Sequence, residues 1–258
     1  MIAPWKLVGS TATLSANSLS GVVDVAHPDR GLELLVQGQV IASSALGIGR
    51  STQQHVAAPE VTRRPSDWPL PLAEVYVRDD DVVAAYHPSE DWPYAPQVYW
   101  RANPFRDIDS VQGSLALFVS LQTQLLDTQP TVSLVTRMRS SEVLQVEVAN
   151  AAVAQVTPIS DEPVARPVGT ASCIVRRLTA MSLSYVEIVP ASDFCARSAQ
   201  GMATREPYIA WHLFAEFLEK GVIRKARAYA AIVPTAHDIE LAIECATAID
   251  QSPLPLTV

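Results

Sequence analysis

Cysteine is scarce in this chain and basic charge is outnumbered. Three cysteines in 258 residues, Cys173, Cys195 and Cys245, form an odd set with no CxxC pair. That excludes a disulfide framework and points to reduced thiols in a reducing compartment. Nineteen Lys and Arg against 27 Asp and Glu leave a formal charge of −8. Binding to phosphate backbones or anionic membranes rests on Lys and Arg, so neither is favoured here. The densest basic group, Arg224, Lys225 and Arg227, has no adjoining basic stretch and reads as a solvated strand or turn. Long apolar runs are also missing. No stretch approaches the roughly 18 to 20 uninterrupted apolar residues of a membrane span. The first residues lack the basic region and apolar core of a secretion signal. A cytoplasmic protein with no nucleic-acid or membrane partner is expected.

The familiar catalytic signatures are absent as well. No two of the five histidines have the i, i+4 spacing of an HExxH zinc site, and the sequence has neither a phosphate-binding GxxxxGK[ST] loop nor a GxSxG elbow. Gly47 and Gly49 make a GxG without the third glycine of a dinucleotide fingerprint. The Asp79–Asp81 run lacks the spaced ligands and the glycine of a calcium loop and reads as a polar turn. No metal and no cofactor is expected.

What is present is a β pattern. With 48% hydrophobic and 18% charged residues, the chain can bury a large core. Short β-branched and leucine-rich runs from Gly21 to Ile48 are broken by turn residues, which predicts an antiparallel meander. Leu72–Val77 and Val82–Tyr86 flank a polar connection of hairpin length. Gly113–Leu126, Thr131–Met138, Val143–Val148, Ala171–Leu178 and Ser182–Val189 are further strand candidates. Two proline-rich segments, 59–71 and 157–169, read as loops because each proline lacks a backbone donor.

After residue 200 the period changes. Thr204 as N-cap, Pro207 in the first turn and the spacing of Ile209, Ala210, Leu213, Phe214, Phe217 and Leu218 predict an amphipathic helix that ends at Gly221. Val222–Val233 then returns as a strand. Ala236–Ile249 predicts a second helix, with Ile239, Ala242, Ile243, Ala246 and Ile249 on one face, before an extended tail. The fold class expected is α+β, mainly β: an antiparallel sandwich-like domain with a C-terminal helix-strand-helix segment. Its parts are an antiparallel region at 1–156, a linker or long loop at 157–169, and a strand pair plus helices at 170–258 packed on the same domain.

Candidate chemistry concentrates between Tyr76 and Phe105, where seven aromatic residues fall. Tyr86, Trp92, Tyr94, Tyr99, Trp100 and Arg101 would form a ligand-binding loop, since flat faces beside charged groups can stack on sugars or other flat ligands. The competing packing reading has the same rings plug the end of a sandwich. His87 beside Glu90 and Asp91 is a candidate acid or base, and Glu147 and Glu187 on predicted strands are candidate partners for it. Trp211 and His212 fall on the predicted first helix, where Trp211 lies off the apolar stripe and marks a contact surface or a packing position.

The function expected first is a non-catalytic binding or assembly protein that uses the aromatic loop to hold a small molecule or a protein partner. The alternative is a carbohydrate-active sandwich-type enzyme, an epimerase or hydrolase, with His87 as acid and Glu147 or Glu187 as base. A second alternative is a structural subunit that forms homo-oligomers through the C-terminal helices.

Overall fold

A computed structural model describes residues 3–50, 70–90, 92–130, 132–149, 152–162, 164–165, 171–179, 181–214 and 216–251. Two sheets pair throughout by antiparallel ladders, and the strands are numbered in chain order. The first sheet runs β1 (Trp5–Val8), β2 (Thr11–Ala16), β3 (Leu19–Asp24), β4 (Leu32–Val36), β5 (Gln39–Arg50), β10 (Val132–Met138), β17 (Tyr208–Leu213), β16 (Phe194–Gln200) and β13 (Val164–Ala165). The second runs β12 (Ala152–Pro158), β11 (Glu142–Ala149), β14 (Ala171–Arg177), β15 (Leu183–Pro190), β18 (Arg224–Pro234), β9 (Gly113–Thr123), β8 (Tyr94–Ala102), β7 (Asp81–Tyr86) and β6 (Leu72–Arg78). Among the described residues there is a single α-helix, α1 (Asp238–Gln251), which follows a one-turn 3-10 segment at Thr235–His237.

The main core lies between the sheets. Alternation sends every second side chain of each strand into it, as with Leu34 and Val36 on β4, Leu115, Leu117 and Val119 on β9, and Ile209, Trp211 and Leu213 on β17. The second sheet hides its other face too. Val146, Cys173, Val175, Val186 and Ile188 pack against Leu241, Ala242, Cys245 and Ala246 of α1, while Phe105, Ile108 and Val111 cover the region around Phe118 and Tyr229. Strands buried on both sides therefore lose the in-out alternation, as in LSYVEIVP of β15, every residue of which is buried, Ser184 and Glu187 included. The helix is anchored where it starts: Asp238 accepts from Ser184 Oγ at 2.8 Å and from Arg177 Nε at 2.9 Å.

The mainly β, antiparallel sandwich class holds. The helix expected from Thr204 does not form; residues 208–213 are strand β17, in the middle of the first sheet. Ile209 and Leu213 fit a helical spacing, but with Trp211 between them they also fit a period of two, and pairing with both β10 and β16 decides for the strand. The C-terminal segment is thus strand-strand-helix. Residues 94–102, expected as part of a loop, form β8, whose ring-bearing residues alternate across the sheet. Strands β12 and β13 occupy parts of the predicted 157–169 linker region and its approach. The proline-rich 59–71 segment, apart from its last two residues, and the 252–258 tail lie outside the described residues.

The turn between β3 and β4 is closed to any side chain. Its 3-10 segment Pro28–Arg30 ends at Gly31, whose φ is 64°. A Cβ at Gly31 would stand 2.6 Å from the Ala45 carbonyl oxygen and 2.9 Å from the Gly47 nitrogen. Both the positive φ and the contact exclude one. Gly31→Ala is expected to destabilise the protein by about 2 kcal/mol or more, measured as the loss of unfolding free energy in urea. An unchanged midpoint would show that the turn relaxes freely.

Candidate active site

The residues singled out by sequence do not converge. Tyr86, Trp92, Tyr94 and Trp100 are buried in the main core, and the Tyr86 hydroxyl donates to the Val25 carbonyl at 2.6 Å. Tyr99 packs on the opposite face of β8, in the second core. Arg101 is held by a bidentate pair to Asp81, at 2.8 Å for each contact, and lies over the Phe118 ring. His87 is exposed just beyond β7. Glu187 is fully buried on β15, four strand positions from β7, which at about 4.8 Å per strand is roughly 19 Å. Glu147 on β11 is two strands further still. The proposed His87–glutamate pair is therefore corrected: sequence proximity set His87 beside acids, but the sheet order separates it from both strand glutamates.

Glu187 is instead the hub of a sealed polar cluster. Its carboxylate accepts from Thr136 Oγ1 at 2.5 Å, Trp211 Nε1 at 2.6 Å and the Tyr185 hydroxyl at 2.9 Å. Arg176, also fully buried, donates to the carbonyls of Pro207 at 3.1 Å and Thr136 at 3.2 Å. Burial lowers the Arg176 pKa, opposed by the charge of Glu187. Burial and the Glu187 charge together push Tyr185 well above its ordinary value, so it keeps its proton and donates. This cluster ties the two sheets together and offers no surface to a substrate.

The outer face of the first sheet carries a different arrangement. Opposite residues in an antiparallel ladder share a face, so Gly49, Ser133 and His212 lie in one row, and Gly47, Val135 and Ala210 in the next. His212 is half-buried, with Nδ1 3.2 Å from Ser133 Oγ and Nε2 3.0 Å from Ser198 Oγ. Burial lowers its pKa below the usual 6.5, so the imidazole is neutral at pH 7. A neutral ring has one donor and one acceptor nitrogen, and each here meets a hydroxyl able to play either part.

The floor beside it is small and sunken: Ala210, Gly47 and Ser133 are buried and Gly49 is half-buried. Four residues along β17, or about 14 Å, Tyr208 lies under the Arg137 guanidinium at 4.9 Å. Ser198 and Gln200 line the β16 side. On the β5 side, Asp29 stands over Gly49, its Cβ 3.8 Å from where a side chain there would begin. The face thus combines a proton-transfer group, hydroxyl and amide side chains and an aromatic-cation platform. The alternation Tyr208, Ala210, His212 outward and Ile209, Trp211, Leu213 inward was a readable signal for this face, which the helical assignment concealed. Among the described residues, no group of three or more His, Cys, Asp or Glu could hold a metal ion, and no helix is long and apolar enough to cross a membrane.

No family model matches the sequence, and no curated protein matches it. Solved structures do share its fold. A candidate aldose 1-epimerase from Escherichia coli K12 superposes with a TM-score of 0.58 at 10% identity, over 86% of this chain and 98% of that one. The Slr1438 protein of Synechocystis sp. PCC 6803 gives 0.55 at 9% identity, over 91% and 98%. A candidate aldose 1-epimerase from Klebsiella pneumoniae subsp. pneumoniae MGH 78578 gives 0.54 at 11% identity, over 91% and 83%. The expectation of a non-catalytic binding protein built on the aromatic loop is overturned by this fold, which two candidate epimerases share nearly end to end, and the helical-subunit alternative loses its first helix to β17.

Proposed function

We propose that the protein is a carbohydrate-active enzyme that exchanges the anomers of an aldose, with His212 as the proton-transferring group. Anomer exchange needs two proton movements and no cofactor: the C1 hydroxyl loses a proton, the ring oxygen gains one, and the C1–ring oxygen bond opens to a free aldehyde. Rotation about C1–C2 and reclosure return the other anomer.

A neutral imidazole with a hydroxyl on each nitrogen suits both movements. One nitrogen takes the proton released at C1, directly or through a serine hydroxyl, while the other passes its proton toward the ring oxygen. Reclosure runs the relay backward and restores the starting tautomer. The sugar ring would lie over Ala210 between His212 and the Arg137–Tyr208 pair, where a flat aromatic surface receives its apolar face. Glycoside hydrolysis instead needs two carboxylates across a cleft, and Glu187 is sealed between the sheets, apart from Glu147.

The observation that carries this reading is the half-buried His212, bracketed by Ser133 and Ser198, on a sandwich with the fold of candidate aldose epimerases. The test is the rate at which fresh α-D-glucose and α-D-galactose reach anomeric equilibrium, followed by NMR with and without the protein. Catalysed exchange is expected for at least one aldose in a broader panel. A rate equal to buffer for every aldose would reject the activity.

A further inference from the structure

Arg197 and Glu147 face each other across the sandwich, each one strand in from the last described strand of its sheet. Arg197 pairs with Val164 of edge strand β13, and Glu147 with Gln155 of edge strand β12. Arg197 neighbours Ser198 in sequence but points to the other side of the sheet, into the interior, and is only 3% exposed. Its Nη2 donates to Gln145 Oε1 at 2.8 Å. The Gln145 amide donates to Glu147 Oε1, and Ser172 Oγ donates to the same oxygen at 3.3 Å. A register shift in the β11–β12 ladder falls at Glu147 and Val148, the kind of irregularity that re-aims a side chain.

Three buried atoms of this cluster have no hydrogen-bond partner among the described residues: Nε and Nη1 of Arg197 and Oε2 of Glu147. Buried polar atoms of charged groups are seldom left so. The cluster therefore presents two spare donor nitrogens, with three N–H groups between them, and one spare acceptor oxygen, with formal charges that cancel. An anion would meet Glu147, and a cation would meet Arg197. A group that accepts from one and donates to the other is a hydroxyl. Glu147 is half-buried, the most accessible charged group of the cluster.

We infer that the Arg197–Gln145–Glu147–Ser172 cluster is a binding site for a neutral polyhydroxyl compound, a small polyol or one edge of a monosaccharide, distinct from the His212 face. Adjacent hydroxyls accept from the guanidinium and donate to Glu147 Oε2. Water has the same chemistry, and the experiment separates the two sources. Glycerol and D-galactose are titrated into the intact protein, followed by thermal shift and saturation-transfer NMR, with acetate as the anionic comparison. Expected are saturable signals and a raised Tm with the polyol and sugar, none with acetate, and at least tenfold weaker binding in Glu147→Gln. That variant keeps the shape of a half-buried side chain, whereas Arg197→Met perturbs the interior. Absence of binding by both hydroxylic probes, which leaves water as the occupant, overturns the inference, as does binding undiminished in Glu147→Gln.

The same titration in His212→Gln separates this site from the proposed activity. Binding lost there moves the sugar to the outer face and rejects the edge site. Binding retained there, when the parental protein exchanges no anomers, keeps the edge site and rejects only the activity.

Discussion

Glu187→Gln is expected to lower the unfolding free energy by about 3 kcal/mol, enough to move Tm down by roughly 6 to 12 °C in a chain of this length. The carboxylate receives three donors from three strands, Thr136 on β10, Tyr185 on β15 and Trp211 on β17. An amide keeps one acceptor oxygen and puts an NH2 group in place of the other, so at least one of the three donors loses its acceptor in a dry interior. The two hydroxyls can turn aside, but the Trp211 N–H is fixed by its ring, and Trp211 is fully buried. The guanidinium of Arg176 also loses the negative charge that offsets its burial. Against a typical total of about 5 to 15 kcal/mol the loss is large. Urea unfolding should show a lower midpoint with an unchanged slope. The double variant Arg176→Met, Glu187→Leu should lose less than the two single changes combined, because a neutral pair strands no charge. A Glu187→Gln protein with the parental midpoint would show that the cluster does not hold the sheets.

His212→Gln is expected to slow anomer exchange by about a hundredfold or more, the range in which positioned proton transfer contributes, with Tm little changed. Glutamine can still bond to Ser133 and Ser198 but cannot take up and release a proton. The pH dependence gives the second readout. The parental rate should be flat near neutrality and fall on the acid side with a midpoint below 6.5, since burial lowers the His212 pKa and only the neutral ring can relay. The variant should lack that limb. Stability carries the same sign: the unfolded chain takes up the histidine proton first, so the contribution of this group is present above pH 6.5 and is lost as pH falls through the lower folded value. A variant that exchanges anomers at the parental rate would remove His212 from the reaction.

Leu72–Val77 and Val82–Tyr86 could be placed from sequence because apolar runs flank a polar turn, and the hairpin formed by β6 and β7 follows them to within a residue at each end. The same holds for β14 and β15, and the last helix lies two residues further along than expected at each end. Residues 208–213 could not be placed, because six residues with Ile, Trp and Leu at alternate positions also satisfy part of a helical stripe. Only the two flanking strands settle the period. The aromatic-rich segment failed for a related reason. Rings at 94, 99 and 100 look like a cluster in one dimension, yet β8 sends Tyr94 and Trp100 into one core and Tyr99 into the other.

Composition and local pattern determined by themselves that this is a mainly antiparallel β protein with a helix near residue 240, since period and turn chemistry are short-range properties written into neighbouring residues. The tertiary structure alone decided which polar groups meet. His212 finds Ser133 and Ser198 at sequence separations of 79 and 14, and Glu187 finds Thr136 51 residues away, through strand order and register that no local window contains. Pairing brings those positions together because backbone hydrogen bonds across a ladder fix neighbours without regard to their distance along the chain.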